Sequence, residues 1–180
     1  MRTLEHRRHS RRDPGGIHLN AEGVALARKV AATTPKFDRV ATSPRPRAVE
    51  TAELLAGRVD AVVPGLAEVG DELAHLAETD PPGSFARCGA LIRQSTAAAE
   101  FGRAQLELWR AELERVPDGG RLLLVSHGGV IELGAVTALP ESSLAWGGAL
   151  GYLEGVRLDW DGRRWTSGAV LRVPAPPRGP

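Results

Sequence analysis

Two histidines and two arginines, far apart in the chain, stand where they can meet. Arg8-His9-Ser10 closes a candidate strand, Ser43-Pro44-Arg45-Pro46-Arg47 opens a helical run, and Ser126-His127-Gly128-Gly129 follows an apolar run. A phosphate monoester is a dianion that repels most nucleophiles. Two guanidinium groups can neutralise it and grip its oxygens in a planar fork that lysine lacks. A neutral imidazole beside such a clamp can attack phosphorus and carry the phosphoryl group, and nearby arginines keep that imidazole unprotonated. A second imidazole can donate to the phosphoryl oxygens as charge builds. Helix starts near Pro44 and Gly128 would aim free amides at the same place. Singly, these pieces read as a solvated basic pair, a plain helix start and a buried structural histidine. Their order, and their place at strand ends, sets the combination apart.

The elements that must position these residues are readable around them. Leu122-Leu123-Leu124-Val125 is the strongest buried-strand signal, and Arg39-Val40-Ala41-Thr42-Ser43 is a second. Helix formers follow each: Ala48 to Ala56, stopped by Gly57, and Val130 to Val136, closed by Pro140. Strand-then-helix units predict an α/β fold with a mainly parallel sheet and helices on both faces. Ligands collect beyond the carboxyl ends of such strands, where all three segments lie. Thr3-Leu4-Glu5-His6-Arg7-Arg8 reads as a further strand, unusually polar, and Asn20 caps a helix from Ala21 to about Ala32. Residues 84–116 read as helical, with Leu106, Trp109, Leu113 and Val116 at core spacing. Val156 to Trp160, then Asp161-Gly162, then Arg163 onward reads as a hairpin. The expectation is one domain over 1–173, with a small helical lid over roughly 70–116 and a Pro-rich tail over 174–180.

Composition narrows the field. Lys plus Arg total 23 and Asp plus Glu 22, a net charge of +1 over 180 residues, which argues against a polyanion binder. Arg2, Arg7, Arg8, Arg11 and Arg12 crowd the N-terminus but lack the interleaved aromatics of a nucleic-acid arm. The single cysteine, Cys88, forbids an intrachain disulfide and a multi-cysteine zinc site. His6, His9 and His18 lack a carboxylate set to complete a metal site, so no metal and no cofactor are expected. No apolar run has the length of a membrane helix, and no apolar signal core precedes the first strand. A soluble cytoplasmic protein is the expectation; its oligomeric state is left open.

As a set, these motifs resemble the histidine phosphatase superfamily, the phosphoglycerate mutase-like family, over roughly residues 3–173. Arg8-His9-Ser10 is similar to its Arg-His-Gly motif, with Ser10 in place of glycine. Ser43 through Ala52 matches a Ser-Pro-x-x-Arg-Ala-x-x-Thr-Ala helix start, and Ser126-His127-Gly128 a strand ending in Ser-His-Gly. Leu19-Asn20-Ala21-Glu22-Gly23 is similar to Leu-Thr-x-x-Gly. The resemblance implies a three-layer fold with His9 as nucleophile and Arg8, Arg47, His127, Ser10 and Gly128 around the phosphate. It also implies an acidic proton donor after the third strand; Glu68, in Leu66-Ala67-Glu68, is the candidate and Asp71 the reserve. The hydroxyl of Ser10 either donates to the phosphate or narrows the pocket. The implied activity is metal-independent hydrolysis of a small phosphorylated metabolite through a phosphohistidine. The interval between Arg47 and His127 allows only a modest lid, which favours a phosphatase over a mutase. A phosphohistidine-protein phosphatase and a non-catalytic phosphate-binding module are the alternatives.

Overall fold

Leu122, Leu123, Leu124 and Val125 have no exposed surface because they form the central strand of a sheet covered on both faces. In the computed structural model, which describes residues 1–67, 69, 73 and 84–173, this strand is β4 (Arg121–Ser126). Around it lie β1 (Arg2–Arg8), β2 (Arg39–Thr42) and β3 (Ala61–Val62), with β5 (Gly155–Trp160) and β6 (Trp165–Leu171). The order is β3-β2-β4-β1-β5-β6. The first four strands run parallel, and β5 and β6 close the far side antiparallel. The registers Arg8↔Ser126 and Thr42↔Val125 bring the carboxyl ends of β1, β2 and β4 level. That alignment is what gathers the three motifs.

Alternation along β4 feeds two cores. Leu122 and Leu124 join one with Leu4, Trp109, Ile131 and Leu158; Leu123 and Val125 join the other with Val40, Ala48, Ala52 and Leu153. Each large aliphatic side chain buried there contributes about 1.5–3 kcal/mol. Helices α1 (Ala21–Ala31) and α2 (Pro46–Ala56) cover the second core. Asn20 caps α1 by accepting from Gly23 N–H, and Gly57 ends α2 at φ 74°, a left-handed turn suited to glycine. The first core is covered by α3 (Phe85–Gln94), α4 (Thr96–Leu113) and α5 (Val130–Ala138). A Cβ on Gly134 would stand 2.3 Å from the Trp109 ring, so glycine is what lets α4 and α5 pack this closely. Within the stretch expected to form a lid, residues 84–113 thus supply α3 and α4, whose buried residues enter the core; residues 74–83, like the 174–180 tail, lie outside the described residues.

The polar first strand is explained by its neighbours. Glu5 is 1% exposed, with Arg7 at 2.6 Å, Arg157 at 3.4 Å and Arg121 at 3.6 Å around its carboxylate. A buried charge held by several partners is tolerated where an unpaired one would not be. His6 is fully buried, and its Nε2 lies 2.6 Å from the Ser126 hydroxyl. The predicted hairpin is present, turning at Gly162 with φ 102°. No helix among the described residues is long and apolar enough to cross a membrane.

Candidate active site

His9 leaves the end of β1 already oriented. Its main-chain N–H bonds Ser126 O, and its Nδ1 donates to Ser10 O at 2.7 Å. A donor at Nδ1 fixes the tautomer and leaves the lone pair on Nε2. Arg47 Nε donates to that Nε2 at 3.1 Å, and Arg47 Nη2 lies 3.4 Å from His127 Nδ1. The two imidazole centroids are 5.2 Å apart. One guanidinium therefore spans both histidines.

Arg8 is held on three sides. Its Nη1 donates to Leu150 O at 2.6 Å, its guanidinium lies over the Tyr152 ring at 4.8 Å, and Gly128 abuts it. Its Nε is buried and makes no hydrogen bond. His127 Nε2 lies 2.7 Å from Ser43 Oγ, a hydroxyl able to donate or accept, so either tautomer of His127 is supported. The sheet thus brings together Arg8, His9, Arg47, His127 and Gly128. Ser10 is adjacent, yet its hydroxyl donates to Gly23 O at 2.7 Å and its N–H bonds Thr51 Oγ1, tying the motif to α1 and α2. Glu68 and Asp71 lie outside the described residues.

Some amides at the two helix starts are already engaged within the fold. At α2, Pro46 has no N–H, Arg47 N–H bonds Ile17 O, and Ala48 N–H bonds Arg45 O. At α5, Gly129 N–H is taken by the Glu132 carboxylate.

Charge and burial act together on the histidines. His9 is lowered to about 4, first by burial and then by Arg47, Arg8 and Arg12, against the Ser10 carbonyl that raises it. His127 is lowered to about 3 by burial, His9, Arg47 and Arg45. Both are neutral at pH 7, as an attacking imidazole requires. Among the described residues no group of three or more His, Cys, Asp or Glu side chains could hold a metal ion.

Sequence reasoning missed Tyr152, whose ring centroid lies 5.7 Å from that of His9. Its signal is topological. Because β5 runs antiparallel to β1, the residues just before Gly155 fall beside Arg7 and Arg8. Leu153 N–H lies 3.2 Å from Arg8 O, and Leu153 has φ 61°, an uncommon conformation for leucine.

The profile of the histidine phosphatase superfamily (branch 1) matches residues 2–170. No curated protein matches the chain. Among solved structures, phosphoserine phosphatase from Entamoeba histolytica, in complex with 3-phosphoglyceric acid, superposes with a TM-score of 0.69. It is 19% identical, over 92% of this chain and 94% of that one. A mycobacterial glucosyl-3-phosphoglycerate phosphatase gives 0.59 at 23% identity, covering 92% and 96%. Phosphoglycerate mutase from Bacillus anthracis str. Sterne gives 0.61 at 17%, covering 91% and 90%.

Proposed function

The chain belongs to the histidine phosphatase superfamily (branch 1), and from that premise we propose that it hydrolyses a small phosphorylated metabolite through a phosphohistidine on His9. One observation carries the reading: Ser10 O holds Nδ1–H, so the Nε2 lone pair faces the Arg47 guanidinium. A phosphoryl oxygen is a stronger acceptor than a neutral imidazole and takes over the Arg47 N–H. That leaves the His9 lone pair to attack phosphorus in line. The N–P bond forms as the P–O bond to the leaving group breaks, and the departing oxygen takes a proton from an acid. Arg8 and Arg47 neutralise the charge on the three phosphoryl oxygens. His127, in the tautomer with its proton on Nδ1, donates from Nδ1 while the Ser43 hydroxyl donates to Nε2. Water then attacks phosphorus and gives its proton to the same carboxyl group. The N–P bond breaks, and inorganic phosphate leaves.

Glu68 remains our candidate for that acid, with Asp71 in reserve. Small substrates are supported by the names of the neighbours, a phosphoserine phosphatase and a glucosyl-3-phosphoglycerate phosphatase. The test is phosphate release from aryl and alkyl phosphates with chelator present, with acid quenching to trap label on His9. Glu68→Gln should slow alkyl phosphates strongly. It should hardly slow phosphoenzyme formation from aryl phosphates, because a phenolate departs without a proton. If Asp71→Asn produces that pattern and Glu68→Gln does not, the acid is Asp71. Label trapped on His127 would reverse the histidine roles.

A further inference from the structure

Glu132 is a carboxylate in the first turn of α5, 3% exposed, with no place in the chemistry above. One oxygen accepts Gly129 N–H at 2.7 Å, which is ordinary capping of a helix start. Its other oxygen leaves the helix and accepts Leu150 N–H at 3.0 Å, from a loop 18 residues further on. A cap requires only the first of these bonds. The second reaches the residue whose carbonyl holds Arg8 Nη1 at 2.6 Å. The same loop supplies the Tyr152 ring under Arg8 and the Leu153 N–H beside Arg8 O. On the other side, Gly129 follows Gly128, which abuts the Arg8 guanidinium, and His127, which faces His9. Glu132 therefore ties together the two segments that flank Arg8.

We propose that Glu132 is a positioning residue for the phosphate clamp: its carboxylate, bridging the Gly129 and Leu150 amides, fixes the Leu150 carbonyl and through it the orientation of Arg8. The proposal rests on the reading of Arg8 as a phosphate ligand. The bridge needs two acceptor oxygens on one side chain. Glutamine has the same shape but only one, so its amide nitrogen must face one of the two N–H groups. Aspartate is one methylene too short to reach Leu150 from the same backbone position. Burial first, and the nearby Glu132 carboxylate second, push the Cys88 thiol up to about 12.

The test is a double-mutant cycle on inorganic phosphate binding, measured by calorimetry on the whole chain. Glu132→Gln should weaken phosphate about tenfold in the wild-type background, within the range for groups sharing one hydrogen-bond network. In the Arg8→Ala background the same change should weaken it less than about twofold, because the group it positions is gone. A purely structural loss would be felt equally in both. Equal loss in both backgrounds, or no loss in wild type, overturns the positioning role. If Arg8→Ala itself leaves phosphate binding intact, it is the reading of the clamp that fails. Should Glu132→Gln not fold, amide exchange decides. Phosphate must slow exchange at Leu150 and Gly129 in wild type and not in Arg8→Ala, and the absence of that slowing overturns the proposal.

Discussion

Replacing Arg47 by lysine keeps the charge and removes the fork. Arg47 Nε and Nη2 reach His9 and His127 at 3.1 and 3.4 Å, so the guanidinium presents separate donors toward each histidine. A lysine ammonium is one point at the end of a flexible stem and cannot stand in both places. At least one charge-assisted bond to a bound phosphoryl oxygen is therefore lost. Such a bond is worth about 1.5–3 kcal/mol, which is roughly tenfold to 150-fold in affinity. Calorimetry with inorganic phosphate or vanadate reads the affinity, and kcat/KM on an aryl phosphate reads the transition state. Arg47→Lys should lie much nearer to Arg47→Ala than to wild type on both. Arg47→Ala adds an internal control. Arg47 is among the groups that hold His9 down to about 4, so removing its charge raises the His9 pKa toward the ordinary value. The acid limb of the pH–rate profile moves up accordingly, whereas in Arg47→Lys it stays nearer its place. If Arg47→Lys binds phosphate within about threefold of wild type, the planar-fork argument is refuted. If Arg47→Ala does so too, Arg47 is no part of the clamp.

His9→Ala should abolish turnover and the trapped phosphoenzyme while inorganic phosphate still binds through Arg8 and Arg47; residual covalent label would sink the assignment of His9. Acid should destabilise the fold in a set window. His6, His9 and His127 are lowered to about 3, 4 and 3, so between pH 6.5 and those values the unfolded chain binds protons that the folded chain refuses. Stability is then full above pH 6.5 and falls below it, by about 2 kcal/mol per histidine at pH 5, and a urea midpoint unchanged between pH 7.5 and 5 contradicts this. Ser10→Gly removes the bond to Gly23 O, and stability should drop by about 1 kcal/mol with phosphate affinity kept. A fall in affinity instead would place the hydroxyl in the phosphate pocket.

What the sequence revealed of the fold followed from local rules. The wholly apolar run at 122–125 is readable because a strand covered on both faces has no polar side, and α1, α2 and α5 announce themselves by Asn20, Gly57 and Pro140. The hairpin at Asp161-Gly162 is equally local. The polarity of β1 was not interpretable in the same way. Glu5 looks like a surface residue until Arg157 and Arg121, distant in sequence, arrive on the neighbouring strands β5 and β4. The helical stretch from 84 onward showed its spacing but not its partner. Only the tertiary fold seats Trp109 against His6, at 4.9 Å between ring centroids, and against Gly134 of α5.

The site divides along the same line. Arg8, His9, Arg47 and His127 were readable because parallel strands end together, so motifs at strand ends must meet whatever the intervening chain does. Tyr152 and Glu132 were not, because they reach the site by other routes. Tyr152 comes in at the start of an antiparallel strand, and knowing that requires the order β4-β1-β5. Glu132 looks like an ordinary acidic residue in a first turn, and its second oxygen acquires a partner only when the fold brings Leu150 beside α5. Residues that perform chemistry are constrained in type and so leave a pattern. Residues that aim them need only an acceptor at the right point in space, which many side chains from many places in the chain can supply. For this protein the consequence is concrete. On the proposed reading the clamp on phosphate follows from motifs, and its stiffness from one carboxylate that joins Gly129 to Leu150.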